Sequence, residues 1–295
     1  MKEFYSVKEF AKITGIEAST LRFWDEIGLF SPAKRNPENN YRYYSPNQLI
    51  TVNFVTVMSS FDIQLKEINE IQGSRNPEKL VRLIKEKEKL LDMEMRRLCE
   101  CYSVMHTRLE MIEYGISVDN GFMMVDRMSA NSSDTSEKVI TVDENTIFVM
   151  HRDDMTYNLG PRTEWKEGEE FYNPFIDFGQ KANELHINLN FPIGGYHDDW
   201  EGFMAAPGSP HHFFSIDPTG NRTRKAGDYV IGFSRGYYGQ FGDLSERMNS
   251  YIEANALNAS GPVYVVYLHD EVCMMDPSQY LAQVCVAVTN YSKLT

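Results

Sequence analysis

Thr20-Leu21-Arg22-Phe23-Trp24-Asp25-Glu26-Ile27-Gly28-Leu29 is the stretch whose reading decides the fold of the front of the chain. Leu21, Trp24 and Ile27 recur at i, i+3 and i+6, one face of a helix. Gly28 follows as a residue that can turn left-handed and end it, so a helix is predicted over residues 18–27. Upstream, Ser6-Val7-Lys8-Glu9 reads as a capping box, in which the Ser6 oxygen accepts the N–H of residue 9 while the Glu9 carboxylate reaches back. It opens a helix over 7–14 that Gly15 stops. Two short helices joined by a glycine-containing turn make a helix-turn-helix candidate.

Working outward, Asn36-Pro37-Glu38-Asn39-Asn40 is turn chemistry and Tyr41-Arg42-Tyr43-Tyr44 is an aromatic strand-former, together a hairpin wing. Ser45-Pro46-Asn47-Gln48 reads as a second capping box with proline at the first helical position, opening a helix through about residue 59. From 77 to 113 one helical pattern is uninterrupted. Ile84, Leu91, Leu98, Met105 and Ile112 recur every seven residues, and Met95, Tyr102 and Leu109 fill the same stripe. A rod of that length, roughly 55 Å at 1.5 Å per residue, suits a two-stranded coiled coil. Lys87, Glu94 and Arg108 make its seam imperfect.

The chain has 295 residues and a formal charge of −13. Residues 1–75 carry nine basic and nine acidic side chains, residues 76–115 eight of each, and residues 116–295 twelve basic and twenty-five acidic. The whole negative excess lies in the rear, so front and rear have separate jobs. The organisation expected is 1–75, winged helix-turn-helix; 76–115, dimerising helix; 116–295, an α+β sheet domain. In that last segment strands are predicted at 146–150, 186–193, 212–216, 228–233, 263–269 and 283–288, and helices near 163–181 and 243–256, a strand-helix-strand-strand order that appears twice. The polar run 129–136 is expected to be an exposed loop.

No apolar run reaches the ~18 residues of a membrane span and the start lacks a signal-peptide pattern, so a soluble cytoplasmic protein with no membrane partner is expected. Cys99, Cys101, Cys273 and Cys285 show no zinc spacing and are expected as reduced, packed thiols. No metal, cofactor or catalytic residue is expected. His211 and His212, adjacent on a strand, point to opposite faces, and no Ser/His/Asp arrangement is recognisable.

A recognition helix presents its early side chains to base edges, which makes Ser19, Thr20 and Arg22 readers of DNA, with Phe23 and Trp24 beside them. On the wing, Tyr41, Arg42 and Tyr43 would lie along sugar and phosphate, positioning rather than specifying. The competing reading puts Leu21, Phe23 and Trp24 in the core and leaves Arg22 a surface ion-pair partner.

Tyr5-Ser6-Val7, Phe10-Ala11, Thr20 to Asp25, Gly28-Leu29, Asn40 to Ser45 and Gln48-Leu49 together closely resemble the MerR family of transcription regulators. That resemblance implies a homodimer held by antiparallel coiled coils on double-stranded promoter DNA, acting with RNA polymerase by bending and untwisting an overlong spacer. Phe23 and Trp24 replace the family's usual tyrosines, and the Trp24 indole N–H is expected to substitute for a lost phenol. The metal-sensing branch places cysteines at the end of the coiled coil, a pattern that Cys99 and Cys101 do not match. Gly227 to Ile231, Val263 to His269 and Gln279 to Leu281 resemble the GyrI-like effector domain of BmrR-type multidrug-binding regulators, which implies a small-molecule effector. In that family a buried pocket carboxylate faces cationic ligands, and Val265 stands at its place. Tyr157, Phe175, Trp200, Tyr237, Tyr238, Phe241, Tyr267 and Tyr280 are the candidate ligand-binding residues, for a lipophilic or aromatic and possibly cationic compound, with Trp165 in the same aromatic set. Glu184, Asp198, Asp199, Asp270 and Glu271 are alternative counter-charges. A rear domain that binds a protein partner, or an enzyme acting on the bound compound, stays open.

Overall fold

The computed structural model describes residues 2–73, 76–125, 139–166 and 171–290, so the run 129–136 lies outside the described residues. The chain divides into two units, Met1–Leu98 and Cys99–Thr295.

In the first unit β1 (Tyr5–Ser6) leads into α1 (Val7–Thr14) and α2 (Ala18–Glu26), followed by β2 (Lys34–Arg35), β3 (Arg42–Tyr44), α3 (Gln48–Ser60) and α4 (Leu65–Gly73). The capping box at Ser6 forms as the spacing predicts, with both Ser6 and Glu9 bonded back to the helix start, and Gly15 caps α1 at φ 73°. The Leu29 and Gly28 amides fold back on the Trp24 and Asp25 carbonyls at 2.8 and 3.1 Å to close α2. The box at Ser45 forms only in half. Gln48 Oε1 accepts the Ser45 N–H, but it also accepts the Ala33 N–H while its Nε2 donates to the Ser31 carbonyl, so α3 begins at Gln48 and Pro46 stays outside it. The helix α4 was not foreseen; its Ile68 and Ile71 are buried, closing the core around Phe10, Leu21, Leu29, Tyr44 and Val55.

Helix α5 (Pro77–Asn120) has 44 residues and runs seven past the expected end at 113. Gly121, at φ 67°, ends it. Near that end Gly115 and Val118 are buried, Gly115 because an added Cβ would sit 2.4 Å from the His269 ring.

The second unit continues with the ribbon β4 (Phe122–Val125) and β5 (Val139–Val142), then β6 (Phe148–Arg152), β7 (Met155–Arg162), α6 (Tyr172–Glu184), β8 (Ile193–His197), α7 (Trp200–Ala205), β9 (His212–Ser215), β10 (Arg222–Arg224), β11 (Gly227–Arg235), α8 (Leu244–Ala254), β12 (Leu257–His269) and β13 (Leu281–Asn290). Its main sheet has the order β10-β7-β9-β8-β12-β13-β11-β6 with antiparallel neighbours. The doubled order is there: β7-α6-β8-β9 and β11-α8-β12-β13 each fold their last strand between the other two, and the halves join where β8 pairs β12.

Two expectations are corrected. Residues 186–193 are not a strand: His186 turns at φ 55° and the Ile187 amide bonds the Ala182 carbonyl, so pairing starts only at Ile193. The strand then runs through Gly194, where a Cβ would lie 2.5 Å from the Phe214 ring and from the Val265 carbonyl. A glycine pair that close packing requires is invisible to a search for β-favouring residues. The helix expected over 163–181 begins at Tyr172, because the Thr163 amide still bonds the His211 carbonyl of the sheet edge at 2.8 Å.

Alternation along β12 sorts the core. Val263, Val265 and Tyr267 join Phe203, Leu244 and Met248 under α7 and α8, while Tyr264, Val266 and Leu268 join Tyr157, Phe214 and Val118 on the opposite face. Cys285 is buried there; Cys99, Cys101 and Cys273 are exposed rather than packed, two of them on the outer surface of α5.

Candidate functional site

The first candidate surface is the exposed side of α2 and its wing. Ser19, Arg22 and Phe23 are exposed, Thr20 half-buried, Tyr41 exposed and Tyr43 half-buried. Among the described residues Arg22 enters no ion pair. Trp24 is corrected: it is only 6% exposed, packed in the core with Leu21 and Phe30, so its indole N–H does not stand in for a phosphate-facing phenol. The competing reading therefore holds for Leu21 and Trp24 but not for Phe23, which is 48% exposed.

Asp25 organises this surface. Its side chain is 1% exposed and its Oδ2 accepts from Arg35 Nη2 at 2.5 Å and from Arg42 Nε at 2.6 Å. Arg35 and Arg42 face each other across the β2–β3 ladder, so one buried carboxylate ties both wing strands to α2. The hydrogen bond that Arg42 donates to the Asp25 carboxylate also pushes its guanidinium up from its ordinary pKa, against its partial burial. Arg42 is thus a strut between β3 and α2. Arg35 was missed by sequence reasoning; its place opposite Arg42 rests on a hairpin connection of six residues, 36–41. The turn bonds itself together, with the Asn36 amide on the Tyr41 carbonyl and Asn40 at φ 54°.

The second candidate site is a cavity of about 420 Å³ in the rear unit, at the junction of the two sheet halves. Phe175, Tyr238, Phe241, Tyr267 and Tyr280 of the expected set line it. Tyr157, Trp200 and Tyr237 do not. Tyr157 lies on the opposite face of the sheet, edge-on to Phe214 and Tyr264. The Trp200 indole N–H is turned to Asn249 Oδ1 at 3.2 Å, and Tyr237 packs its ring against Tyr238 and Tyr280. Phe171, Tyr172, Phe213 and His197 line the cavity and were missed, because nothing in a linear pattern tells which aromatics of α6 and β9 share a face with β12. Trp165 packs on Phe171 outside the lining.

The walls are set by close backbone approach. At Gly208 a Cβ would lie 2.5 Å from the Gly239 carbonyl, and Gly239 stands at φ 78°, so two loops touch where any side chain would part them. The Gly239 amide donates to the Tyr267 hydroxyl at 2.9 Å. Val265, 3% exposed, lies in the lining, apolar where the resemblance implies a carboxylate. Of the alternative counter-charges only Asp270 and Glu271 reach the cavity. Asp270 pairs with Arg108 of α5 at 3.2 Å, and Glu271 accepts the Tyr238 hydroxyl. Asp198 is held by Arg162, His211 and His212, Asp199 caps α7, and Glu184 is exposed on α6. His197, at 0% exposure, is pushed down to about 4 by burial and by His211 beside it. Among the described residues no group of three or more His, Cys, Asp or Glu gathers as for a metal ion.

The family model described as MerR HTH family regulatory protein matches residues 5–74. Residues 5–74 are a MerR-type helix-turn-helix domain. Beyond that domain, the chain is 24% identical over 278 residues to the multidrug-efflux transporter 2 regulator of Bacillus subtilis (strain 168), covering 92% of each chain. The MerR-type region is 36% identical over 73 residues to the multidrug-efflux transporter 1 regulator of the same organism, 24% of this chain and 26% of that one. A cryo-EM structure of an EcmrR–DNA complex aligns over 97% of this chain and 100% of that one at 15% identity, with a TM-score of 0.36. No helix among the described residues is long and apolar enough to cross a membrane.

Proposed function

We propose that this protein is a cytoplasmic, ligand-responsive transcription regulator with no enzymatic activity. As a homodimer it binds double-stranded promoter DNA through Ser19, Thr20, Arg22, Phe23, Tyr41, Arg42 and Tyr43. There it acts with RNA polymerase by holding a distorted spacer. Segment 1–75 binds DNA, 76–115 dimerises, and 116–295 takes a small lipophilic or aromatic effector among Phe175, Tyr238, Phe241, Tyr267 and Tyr280. The observation that carries the reading is that one continuous helix, α5, joins a MerR-type domain to a domain built around an aromatic cavity. The relatives' description as regulators of multidrug-efflux transporters supports it.

The stripe on α5 supports the dimer. Leu91, Leu98, Met105 and Leu109 are 52–65% exposed at heptad spacing, an apolar seam that a second copy would cover. A dimer also supplies the second half-site that a chain with a charge-neutral front needs for affinity. The effector acts through its differential affinity for two DNA-bound states. In vitro transcription from the protein's own promoter, with and without a cavity ligand, tests the whole reading. Equal transcript yields would remove the effector half, and the absence of a salt-sensitive mobility shift would remove the DNA half.

A further inference from the structure

We infer that α5 reads the cavity through Glu100 and Arg108, which clasp two turns of the cavity wall and carry its occupancy into the helix; this rests on the cavity being the effector site. β8 and β12 run antiparallel, with Val263 opposite His197 and Val265 opposite Gly195, so the end of β12 lies beside the start of β8. A turn at each of those ends meets α5. Before β8, Asn188 Oδ1 accepts the Asn190 N–H at 2.9 Å while its Nδ2 donates to Glu100, and Leu189 and Phe191 just after it line the cavity. After β12, Asp270 Oδ1 accepts the Val272 N–H at 3.0 Å while its Oδ2 accepts Arg108 Nη1 at 3.2 Å, and Arg108, Asp270 and Glu271 line the cavity. The two turns are built alike: one side-chain atom closes the turn and the other holds the helix.

The helix is fixed at one point and adjustable at the other two. At Gly115 an added Cβ would lie 2.4 Å from the His269 ring, and His269 is 2% exposed, so that contact has no slack. The clasps are polar and nearer to solvent, with Glu100 exposed and the Arg108 and Asp270 side chains 29% and 17% exposed. They lie about 10 and 22 Å from Gly115 along the helix, at 1.5 Å per residue. A small displacement of either turn therefore has a lever on α5. On the cavity side the Tyr238 ring stacks on Phe171 with centroids 5.2 Å apart, and its hydroxyl donates to Glu271, the chain neighbour of Asp270. A flat molecule that enters against Leu189, Phe191 or the Tyr238 ring presses on the turns that the clasps hold. Such a molecule shifts α5 only by its differential affinity for the clasped and open arrangements, and the coupling is reciprocal. The same unbroken helix starts at Pro77, so a shift at the clasps passes along it.

The test uses the purified full-length protein on its own promoter with two flat probes, neutral 2-naphthol and cationic 1-methylquinolinium. Affinity is read by calorimetry, and transcript yield is compared without probe and at about tenfold above the Kd measured for each variant. Glu100→Ala changes an exposed residue outside the lining, so the probe should still bind while the probe-dependent change in yield falls by about half or more. Glu100→Ala with Arg108→Met removes both clasps and keeps the bulk of the wall; the change in yield should drop at least about fivefold. Glu100→Gln with Arg108→Lys keeps an acceptor and a donor and should retain most of the response, a rescue that a loss of packing alone would not show. A full response in the Ala–Met pair overturns the inference and leaves the effector site standing. So does a Gln–Lys pair that responds no better than the Ala–Met pair. Where the Ala–Met pair does not fold, an undiminished response in Glu100→Ala decides against the inference. If neither probe binds the unaltered protein, or if its yield is the same with and without bound probe, the effector reading falls and the inference with it.

Discussion

Asp25 in the MerR-type domain and His197 in the cavity domain are both buried polar side chains, and the two regions treat them in opposite ways. Asp25 is paired: two arginines from two strands meet one carboxylate oxygen, and the wing is fixed to α2. His197 is shut from solvent against the His211 ring and the Pro207 backbone, and burial and His211 push it down to about 4. A buried charge that is kept needs partners, and the partners become struts; a buried imidazole can instead give up its charge. The difference between the two sites is thus one of a charge kept and paired against a charge given up, and it can be broken or sharpened experimentally.

The largest effect is expected from the seam on which the DNA half depends as a pair. Leu91→Glu with Leu98→Glu should convert the protein to a monomer in sedimentation velocity and weaken operator binding by at least about a hundredfold, since the second half-site is lost. A dimer that survives both charges would move the interface elsewhere.

Next is the pH dependence of the buried imidazole. With His197 down to about 4 in the folded protein against an ordinary value near 6.5, the unfolded chain takes up a proton that the folded chain refuses as the pH falls between those values. Stability from this group is full above pH 6.5 and lost progressively towards pH 4, by up to about 3 kcal/mol. Urea titrations of His197→Leu should show that slope removed; the same slope in the variant would assign it to other groups.

Arg22 and Arg42 separate the two kinds of arginine. Arg22→Ala should weaken operator binding by about tenfold or more with unchanged stability, as expected for loss of a direct contact. Arg42→Ala should weaken binding and also cost about 1–2 kcal/mol in urea, because it leaves the buried Asp25 with one partner instead of two. Equal stability of the two variants would contradict the strut. The smallest effect is at the cavity wall. Gly239→Ala, at φ 78° and with its Cβ 3.0 Å from the Gly208 carbonyl, should cost about 1 kcal/mol, read as a lowered melting temperature.

Legibility followed the range of the interactions. The capping box at Ser6, the glycine stops at Gly15 and Gly28 and the heptad stripe of α5 are set by residues within one or two turns of each other, and all appear where the spacing puts them. The half-formed box at Ser45 fails because Gln48 finds a longer-range use, bonding the backbone at Ser31 and Ala33. In the rear unit the doubled strand-helix-strand-strand order was visible, but β8 was not, since its Gly194-Gly195 pair is chosen by the Phe214 ring and the neighbouring strand rather than by local preference. Tyr157 was misassigned to the cavity for a related reason: which face a tyrosine takes depends on the register of β7 with β9, and aromatic content says nothing of register.

By itself, then, the sequence determined the elements that are local in origin: the helix pair, the wing, the rod and the repeated order behind them, together with the uneven placement of charge and the valine at the expected place of a carboxylate. Tertiary structure alone decided that Trp24 is core, that Arg35 and Arg42 share Asp25, and that His197 is shut from solvent against the His211 ring. The last two outcomes bring together side chains ten to seventeen residues apart, where packing and the pairing of buried charge, not spacing along the chain, settle what each residue does.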